Sequence, residues 1–344
     1  MKAVAGRAAA VLAKSGLLGL LESADHETDR LRIVAYHRVD DPAAEPDLEP
    51  GLVSASPEGL RAQAEVIARH YRPVSLDEVV AAHRGEGALP PRAVLFTVDD
   101  GYADFAEHIW PILRAAGVPV VLFVPTAFPD APGPGFWWDR LHAAARRTDR
   151  GSLDVQGCGE LRFGDATERR AAYKAMRNYV KTRPHHEAMG WVDDVVGRLA
   201  DLPSLHRVLG WDALRKLAGE GVAICSHGHQ HAVSTRLSAE DLAGDLSTSK
   251  TILERELGAN AVPPVFAYPS AIFDETSQAA AAGAGYEMAF SGQRRIPRVP
   301  FEDPYDVPRL PMMHYPTPLF RAQLRPSVAA IGRLLIDGRA PSAA

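Results

Sequence analysis

Short apolar runs rich in β-branched residues alternate along this chain with segments of helical periodicity. The run from Ala93 to Val98 is followed by a helical segment, Ala103 to Ala116, and then by a second run, Val118 to Val124. The alternation starts at Leu31 and continues to Phe290. Because a helix between two strands acts as a crossover connection, the pattern predicts parallel strands, and we expect an α/β fold with a barrel.

The alternation is interrupted between residues 128 and 210. This stretch opens with prolines and glycines from Pro129 to Gly135 and continues as a charged, mostly helical segment. We interpret it as a helical insertion over the barrel rim and not as a separate domain. The domain organisation that we predict is an N-terminal amphipathic helix over residues 1–30, a barrel over 31–325 and a C-terminal tail over 326–344.

The composition excludes several classes of function. A chain of 344 residues with 46% hydrophobic residues can fill a large core, and its net charge of −5 offers no basic field for nucleic acid. Its two cysteines, Cys158 and Cys225, lack the spacing of a disulfide framework or a thiolate zinc site, and they fit a reducing compartment. We interpret Cys225 as a small buried strand residue.

The first thirty residues contain an apolar segment, Ala8 to Leu21, that Lys14 interrupts. We therefore predict an amphipathic helix there and not a signal peptide. The sequence contains no run of about 18 apolar residues, so we do not expect an ordinary transmembrane helix. We expect a cytoplasmic protein and leave peripheral membrane contact open. The sequence does not indicate the oligomeric state.

Two motifs that carry chemistry follow predicted strands. Asp99 and Asp100 are adjacent carboxylates, which repel each other unless a positive group lies between them. Three imidazoles, His227, His229 and His231, follow a later strand at two-residue spacing. An aspartate with two histidines is a frequent ligand set for a divalent metal. The residues predict a metal-dependent hydrolase in which one aspartate binds the metal and the other transfers protons. Spacing alone allows any two of the three imidazoles to bind.

These motifs resemble those of the polysaccharide deacetylase family, carbohydrate esterase family 4. The segment Thr97–Gly101 is similar to the family signature TFDDG, and His227–His231 is similar to its HxxxH signature. The strand with Tyr36–Val39 resembles one in the branch that includes the bacterial biofilm poly-N-acetylglucosamine deacetylases. The similarity covers Leu31 to Met313. It implies a distorted (β/α) barrel and the hydrolytic deacetylation of an N-acetylated sugar in a polysaccharide or a glycan precursor.

The resemblance also implies a role for each residue of the two motifs. Asp99 corresponds to the catalytic base, and Asp100, His227 and His231 correspond to the metal ligands. The implied cofactor is one divalent metal ion, usually Zn²⁺, with Co²⁺, Ni²⁺ and Fe²⁺ as alternatives. His229 then contacts neighbouring residues or solvent and does not bind the metal.

The same resemblance assigns two further catalytic residues. His37, which follows the first strand, corresponds to the general acid that protonates the leaving amine, and His314 is a competing candidate for this role. Arg309, in a segment that returns to the active site, is expected to orient Asp99. Without the resemblance, a lone histidine such as His37 is more often a structural residue.

The segment from Tyr268 to Ala271 matches the turn that stabilises the oxyanion in the family. The resemblance assigns Tyr268, Pro269 and Ser270 to oxyanion and substrate binding, with the backbone N–H of Ser270 as the donor. Ala271 stands where the family has glycine, and a positive φ at this position would strain alanine. An arginine that precedes the proline by two residues in many relatives is replaced by Ala267.

Alternatives to sugar N-deacetylation remain open at this point. The same centre could hydrolyse another amide or an O-acetyl ester, and a degenerate deacetylase could bind glycan without turnover. The altered turn at Ala271 mildly favours the binding protein, whereas the complete set of acidic and imidazole residues argues against it. The pair Trp137–Trp138 allows a sugar-stacking platform, although helix-packing aromatics are the commoner case.

Overall fold

The computed structural model describes residues 27–131 and 133–325. The first 26 residues of the predicted N-terminal helix, and all of the predicted tail over 326–344, therefore lie outside the described residues. In the two ranges that the structure describes, every helix is too short or too polar to cross a bilayer.

The described strands form one large sheet and two small ones. In chain order they are β1 (Leu31–Tyr36), β2 (Arg38–Val39), β3 (Val53–Ala55), β4 (Arg72–Pro73), β5 (Ala93–Val98), β6 (Val120–Val124), β7 (Ser152–Val155), β8 (Gly159–Arg162), β9 (Ala223–Ser226), β10 (Val265–Ala267), β11 (Met288–Phe290) and β12 (Leu310–Pro311). The strands β2 and β3 form a small parallel pair, and β7 and β8 form an antiparallel hairpin. The other eight pair in parallel, as predicted.

The helices of the described residues are, in chain order, α1 (Pro57–His70), α2 (Leu76–His83), α3 (Trp110–Ala115), α4 (Trp137–Arg147), α5 (Ala166–Val180), α6 (His185–Leu199), α7 (Trp211–Gly219), α8 (Ala239–Leu257), α9 (Glu275–Gly283) and α10 (Thr317–Gln323). The helix predicted from Ala103 to Ala116 is shorter, because a π-helical turn, Phe105–Ile109, precedes α3. Pro111 lacks the N–H that would continue an uninterrupted ladder of hydrogen bonds, which favours this break.

Serine side chains cap the starts of α1 and α8. Ser56 accepts a hydrogen bond from the N–H of Gly59, and Ser238 accepts one from the N–H of Asp241, each at 3.1 Å. Each contact satisfies a backbone donor that has no partner within the helix. Ser238 is therefore the N-cap residue of α8.

The large sheet closes into an irregular barrel. Its strand order is β11, β10, β9, β6, β5, β1 and β12, with β4 beside β5. The two ends meet because Phe290, at the end of β11, pairs in parallel with Val307, shortly before β12. The N–H of Ser291 also donates to the carbonyl of Val307 at 2.8 Å. The distorted barrel is confirmed, and the residues that follow its strands converge at one end.

Both faces of the central strands are buried, which explains why their sequences are continuously apolar. In β5, Phe96 and Val98 pack with residues of α1, α3 and α7. Leu95, on the other face, packs in the barrel interior with Phe123 and Cys225. These five side chains are no more than 1% exposed. The interpretation of Cys225 as a small buried strand residue is therefore confirmed.

The insertion comprises α4, β7, β8, α5 and α6 and has a hydrophobic core of its own around Phe163 and Met176. The sequence pattern indicates helices here and misses the hairpin. The hairpin strands are only four residues long, and their tight connection depends on Gly157 and Gly159, with φ of 83° and 73°. The insertion core includes Tyr102 of the barrel, which joins the two parts.

Candidate active site

The two motifs found in the sequence lie side by side at the carboxyl end of the barrel. Asp99 and Asp100 follow β5 directly, and His227 follows β9. The strand β6 lies between β5 and β9, and its last residue, Val124, accepts a hydrogen bond from the N–H of His227 at 3.0 Å. Parallel pairing thus brings together two segments that are far apart in sequence.

Asp100, His227 and His231 form a buried cluster. One potential ligand atom from each residue lies within 4.8 Å of the others. The Nε2 atoms of His231 and His227 lie 3.1 Å and 3.5 Å from Oδ1 of Asp100. This oxygen is buried and lacks a hydrogen bond of acceptable geometry. A buried carboxylate oxygen that faces two imidazole nitrogens has the chemistry of a divalent-metal site.

Two features of the backbone support that chemistry. The carbonyl of Ala267 lies 2.7 Å from Nδ1 of His227. Because a carbonyl can only accept, Nδ1 carries a proton, and Nε2 is the nitrogen that remains available to bind a cation beside Asp100. Asp100 and His231 also have positive φ angles of 75° and 53°. This conformation costs about 1–3 kcal/mol per residue, and such strain is concentrated at functional sites.

Asp99 binds Arg309 and is not a member of the cluster. Its Oδ1 and Oδ2 accept hydrogen bonds from Nη1 and Nη2 of Arg309 at 2.7 Å and 2.8 Å. Arg309 also donates to the carbonyl of Ser291 and to Oγ1 of Thr97, both at 3.2 Å. Burial alone raises the pKa of Asp99, but the Arg309 guanidinium, together with His227, outweighs burial and holds the pKa below its ordinary value. The result is an ionised carboxylate with a fixed orientation.

One cavity of about 270 Å³ is lined by the cluster, by Asp99 and by Arg309. His37 also lines this cavity, and its Nε2 lies 3.9 Å from Oδ2 of Asp99. The His37 side chain is 31% exposed, so it can exchange protons with solvent and contact a bound molecule. His314, the competing acid candidate, is exposed and does not line the cavity.

The turn after β10 forms another part of the cavity wall. Tyr268, Ser270 and Ala271 line the cavity, whereas Pro269 is buried and does not line it. The hydroxyl of Tyr268 donates to the carbonyl of Tyr305 at 3.1 Å, so this residue contributes its ring and not a free donor. The N–H of Ala271 donates to the carbonyl of Tyr268 at 3.0 Å, which leaves Ser270 as the better candidate for an oxyanion donor.

Ala271 occupies a strained conformation that Gly292 accommodates. Ser270 and Ala271 have positive φ angles of 58° and 56°. Ala271 therefore has the backbone conformation for which the family uses glycine at this position. A Cβ atom at position 292 would collide with the methyl group of Ala271. Glycine at 292 therefore makes room for alanine at 271.

We expect Gly292→Ala to destabilise the protein by about 1–3 kcal/mol, because the new methyl group overpacks the space beside Ala271. The free energy of unfolding in urea measures this effect. In the double variant Gly292→Ala/Ala271→Gly the colliding methyl group is gone, and most of the lost stability should return. A double variant as unstable as Gly292→Ala would show that the collision is not the cause.

Comparison with known proteins establishes the family of this chain. A family model described as polysaccharide deacetylase matches residues 86–289, which is more than half of the chain. The chain belongs to the polysaccharide deacetylase family. The matched region contains Asp99 and the three residues of the buried cluster, whereas His37 and Arg309 lie outside it.

Curated relatives of this polysaccharide deacetylase are similar to it over a short region. The poly-beta-1,6-N-acetyl-D-glucosamine N-deacetylase of Escherichia coli (strain K12) is 35% identical over 100 residues, which are 29% of this chain and 14% of that protein. The protein of the same name from Escherichia coli O157:H7 matches to the same extent. The chain spans about 14% of the length of the curated relatives it matches.

Solved structures share the fold over most of the chain. The Streptococcus pyogenes deacetylase PplD in complex with acetate has a TM-score of 0.56 at 16% identity, covering 85% of this chain and 96% of that one. IcaB from Ammonifex degensii has a TM-score of 0.54 at 16% identity, covering 86% and 97%. The BpsB deacetylase domain from Bordetella bronchiseptica has a TM-score of 0.52 at 17% identity, covering 84% and 98%. At these identities the likeness shows the fold alone.

The insertion supplies a wall of the cavity that sequence reasoning missed. Trp138 lines the cavity with its ring centroid 4.7 Å from that of His231, and its Nε1 donates to the hydroxyl of Tyr102 at 2.8 Å. Trp137 and Trp138 are 9% and 6% exposed, so both mainly pack inside the protein. Arg177 and Lys181, on the same wall, are positively charged residues of the insertion. Their helical spacing is visible in the sequence, but the cavity that they face is not.

The loop that carries the histidines is held by Asp245 of α8. The Asp245 carboxylate accepts hydrogen bonds from the N–H groups of His229 and Gln230 at 2.8 Å and 2.9 Å. Nδ1 of His229 lies 3.0 Å from Oγ1 of Thr126, so this imidazole contacts a neighbouring residue outside the cluster. The sequence does not predict this role of Asp245, because an aspartate within a helix gives no indication of which loop its side chain contacts.

Proposed function

We propose that this polysaccharide deacetylase hydrolyses the acetamido group of an N-acetylated sugar, in a polysaccharide or a glycan precursor, with a bound divalent metal ion. The observation that carries the proposal is the Arg309-bound carboxylate of Asp99, which shares one cavity with the buried Asp100, His227 and His231. Amide hydrolysis needs both a Lewis acid and a base close to one water molecule. A protein that only binds glycan has no need of this second carboxylate.

Asp100, His227 and His231 would hold the metal ion. The buried oxygen of Asp100 without a hydrogen bond, and the oriented Nε2 of His227, are the observations that fit a cation. Two imidazoles and one carboxylate suit Zn²⁺, and also Co²⁺, Ni²⁺ and Fe²⁺, and leave positions open for other ligands. When bound, the ion supplies Lewis-acid chemistry, which makes an amide carbonyl more electrophilic and water more acidic.

In the proposed mechanism Asp99 is the base and accepts the proton of the attacking water. The guanidinium of Arg309 binds both carboxylate oxygens and keeps Asp99 ionised, so the base is charged and oriented before substrate binds. The backbone N–H of Ser270 donates to the oxyanion that forms from the carbonyl. His37, on the solvent-accessible side of Asp99, donates the proton that the leaving amine requires.

The proposed substrate unit is N-acetylglucosamine. The names of the Escherichia coli relatives state a polymer of this sugar. These relatives match only a short region of this chain, so their names alone do not establish its substrate. The choice of sugar is therefore tested directly with a hexamer of N-acetylglucosamine. We expect acetate release by the Zn²⁺- or Co²⁺-loaded protein, loss of release after chelation, and recovery when the metal is added again.

An O-acetylated oligosaccharide without N-acetyl groups is the matched control for the bond that is broken. Mass spectrometry counts the acetyl groups lost from each oligosaccharide, and an acetate assay gives the rates. Release from the ester substrate alone would contradict N-deacetylation and would favour the esterase alternative.

A further inference from the structure

A row of positive side chains extends along one face of α5. Arg170, Lys174 and Arg177 lie in α5, and Lys181 is the helical-conformation residue that caps its C-terminus; their separations of four, three and four residues place them on the same side of the helix. At a rise of about 1.5 Å per residue, the row is about 16 Å long. We call these four residues the cationic stripe.

The cationic stripe starts in the catalytic cavity and continues into a second groove. Arg177 and Lys181 line the catalytic cavity. Arg177, Lys174 and Arg170 line a neighbouring groove of about 870 Å³. The two concave surfaces are continuous, because Glu49, Gly51 and Tyr173 also line both. A molecule that enters the catalytic cavity from this side passes along the stripe.

The four side chains of the stripe have no carboxylate within 4.0 Å among residues 27–131 and 133–325. Other cations of the same groove are engaged: Arg146 pairs with Asp47 at 3.0 Å, and Arg169 donates to three backbone carbonyls near the end of α4. In Arg177 the Nε atom is buried without a hydrogen bond, and the guanidinium lies 5.8 Å from the ring centroid of Tyr173. The stripe therefore has donors to offer.

The second groove is lined by five arginine and lysine residues and by one acidic residue, although the whole chain carries −5. The acidic residue shared by both surfaces is Glu49, whose Oε1 accepts from the N–H of Gly51 and whose Oε2 lies 3.9 Å from His142. Burial, followed by the nearby Arg177, lowers the pKa of Lys181. Such a concentration of unneutralised charge in a concave surface favours an anion.

We propose that the cationic stripe binds anionic groups, phosphate or carboxylate, on the same glycan chain whose N-acetylated sugar occupies the catalytic cavity. This inference rests on the proposed function, because it concerns the substrate of that site. The planar guanidinium group of arginine donates paired hydrogen bonds to two oxygens of a phosphate or a carboxylate. A row of this length also suits charges distributed along a chain better than a single small anion. An acidic glycan is then a better substrate than a neutral one.

The test compares neutral and acidic forms of one substrate. The probes are a hexamer of N-acetylglucosamine, the same hexamer with 3-O-phosphate groups, and the same hexamer with 3-O-carboxymethyl groups. The stripe variant is Arg170→Gln/Lys174→Gln, which keeps good helix formers on an exposed face. The matched control is Arg61→Gln/Arg162→Gln, which removes two exposed positive charges outside both surfaces.

We expect the wild type to prefer one or both acidic hexamers, and the preferred arm identifies phosphate or carboxylate as the recognised group. The stripe variant should lose about 10-fold in kcat/KM on the preferred acidic hexamer and less than about 2-fold on the neutral one. The control variant should behave as the wild type on all three. Added salt should weaken only the acidic preference. Equal losses on neutral and acidic hexamers, or no loss, would overturn the proposal.

Binding is measured separately in an Asp99→Asn background, so that failure of turnover does not obscure the stripe. If no hexamer releases acetate but the stripe substitutions still weaken binding of an acidic hexamer, the proposed function fails and the anion site stands. If the stripe substitutions leave binding of the acidic hexamers unchanged, the proposal for the cationic stripe is wrong and the proposed function is not affected. Phosphatidylglycerol vesicles are a further probe. If the stripe binds these vesicles but not the acidic hexamers, the glycan proposal is wrong and the stripe binds an anionic membrane surface.

Discussion

Asp99→Asn is expected to reduce acetate release from the N-acetylglucosamine hexamer by roughly 10²- to 10⁴-fold, while the protein retains its metal. An amide has nearly the shape of a carboxylate but cannot accept the proton of the attacking water. Asp99 is not a member of the buried cluster of Asp100, His227 and His231, so the ligand set stays complete. Steady-state acetate assays and metal analysis on the same sample check both parts of the prediction.

The substitution also removes the charge that faces the buried Arg309, and an unpaired buried cation destabilises a fold. A second variant, Asp99→Asn/Arg309→Met, removes this unpaired cation and should be equally inactive. Circular dichroism of both variants establishes that they are folded. Acetate release at the wild-type rate by either folded variant would exclude Asp99 as the base.

Asp104→Asn is the matched control for this prediction. Asp104 is another buried aspartate a few residues along the chain, where it accepts a hydrogen bond from the N–H of Val39 at 2.8 Å. It does not line the catalytic cavity. Burial raises the pKa of Asp104 to about 7, so asparagine resembles a form that is already populated at neutral pH. We expect nearly unchanged activity.

Asp100→Ala is expected to abolish both metal binding and acetate release. Asp100 is the anionic member of the cluster, and without it two buried imidazoles alone would face a cation. Residues that merely support a ligand contribute about 10- to 100-fold in metal affinity, so loss of a ligand should exceed that range. Equilibrium dialysis followed by elemental analysis gives the affinity independently of turnover.

His229→Ala is the matched control for the ligand set. His229 lies two residues from His227 and from His231, but its Nδ1 lies 3.0 Å from the hydroxyl of Thr126. We expect this variant to bind one metal ion with wild-type affinity. Full metal occupancy in Asp100→Ala, or loss of metal in His229→Ala, would show that another set of side chains binds the ion.

The strands and their chemical motifs are readable from the sequence because both depend on local pattern. A strand buried on both faces is continuously apolar, as Ala93–Val98 is, and the residues that follow such a strand belong to the carboxyl end of a barrel. The sequence therefore places Asp99 and Asp100 at the carboxyl end of the barrel. The spacing of His227, His229 and His231 allows any two of them to bind a metal. The family resemblance was needed to predict His227 and His231 as the pair.

The partners of these residues are not readable in the same way. Arg309 binds Asp99 across 210 residues of chain; no local period connects the two, and only the family resemblance indicated this pair. The space that Gly292 leaves for Ala271 likewise depends on two loops that meet only in the folded barrel. The hairpin of the insertion is missed because its four-residue strands are too short to show a clear period.

The alternation of strands and helices in the barrel, and the acidic and imidazole motifs that follow two of its strands, can be predicted from the chain alone, since burial period and side-chain chemistry are local properties. The direction in which the insertion faces depends on packing between distant segments, chiefly where its core meets Tyr102. That packing turns a row of cations on α5, visible in sequence only as a spacing, toward the cavity of Asp99 and Asp100. Long-range contacts of this kind leave no local signal, because each joins segments that are far apart in the sequence.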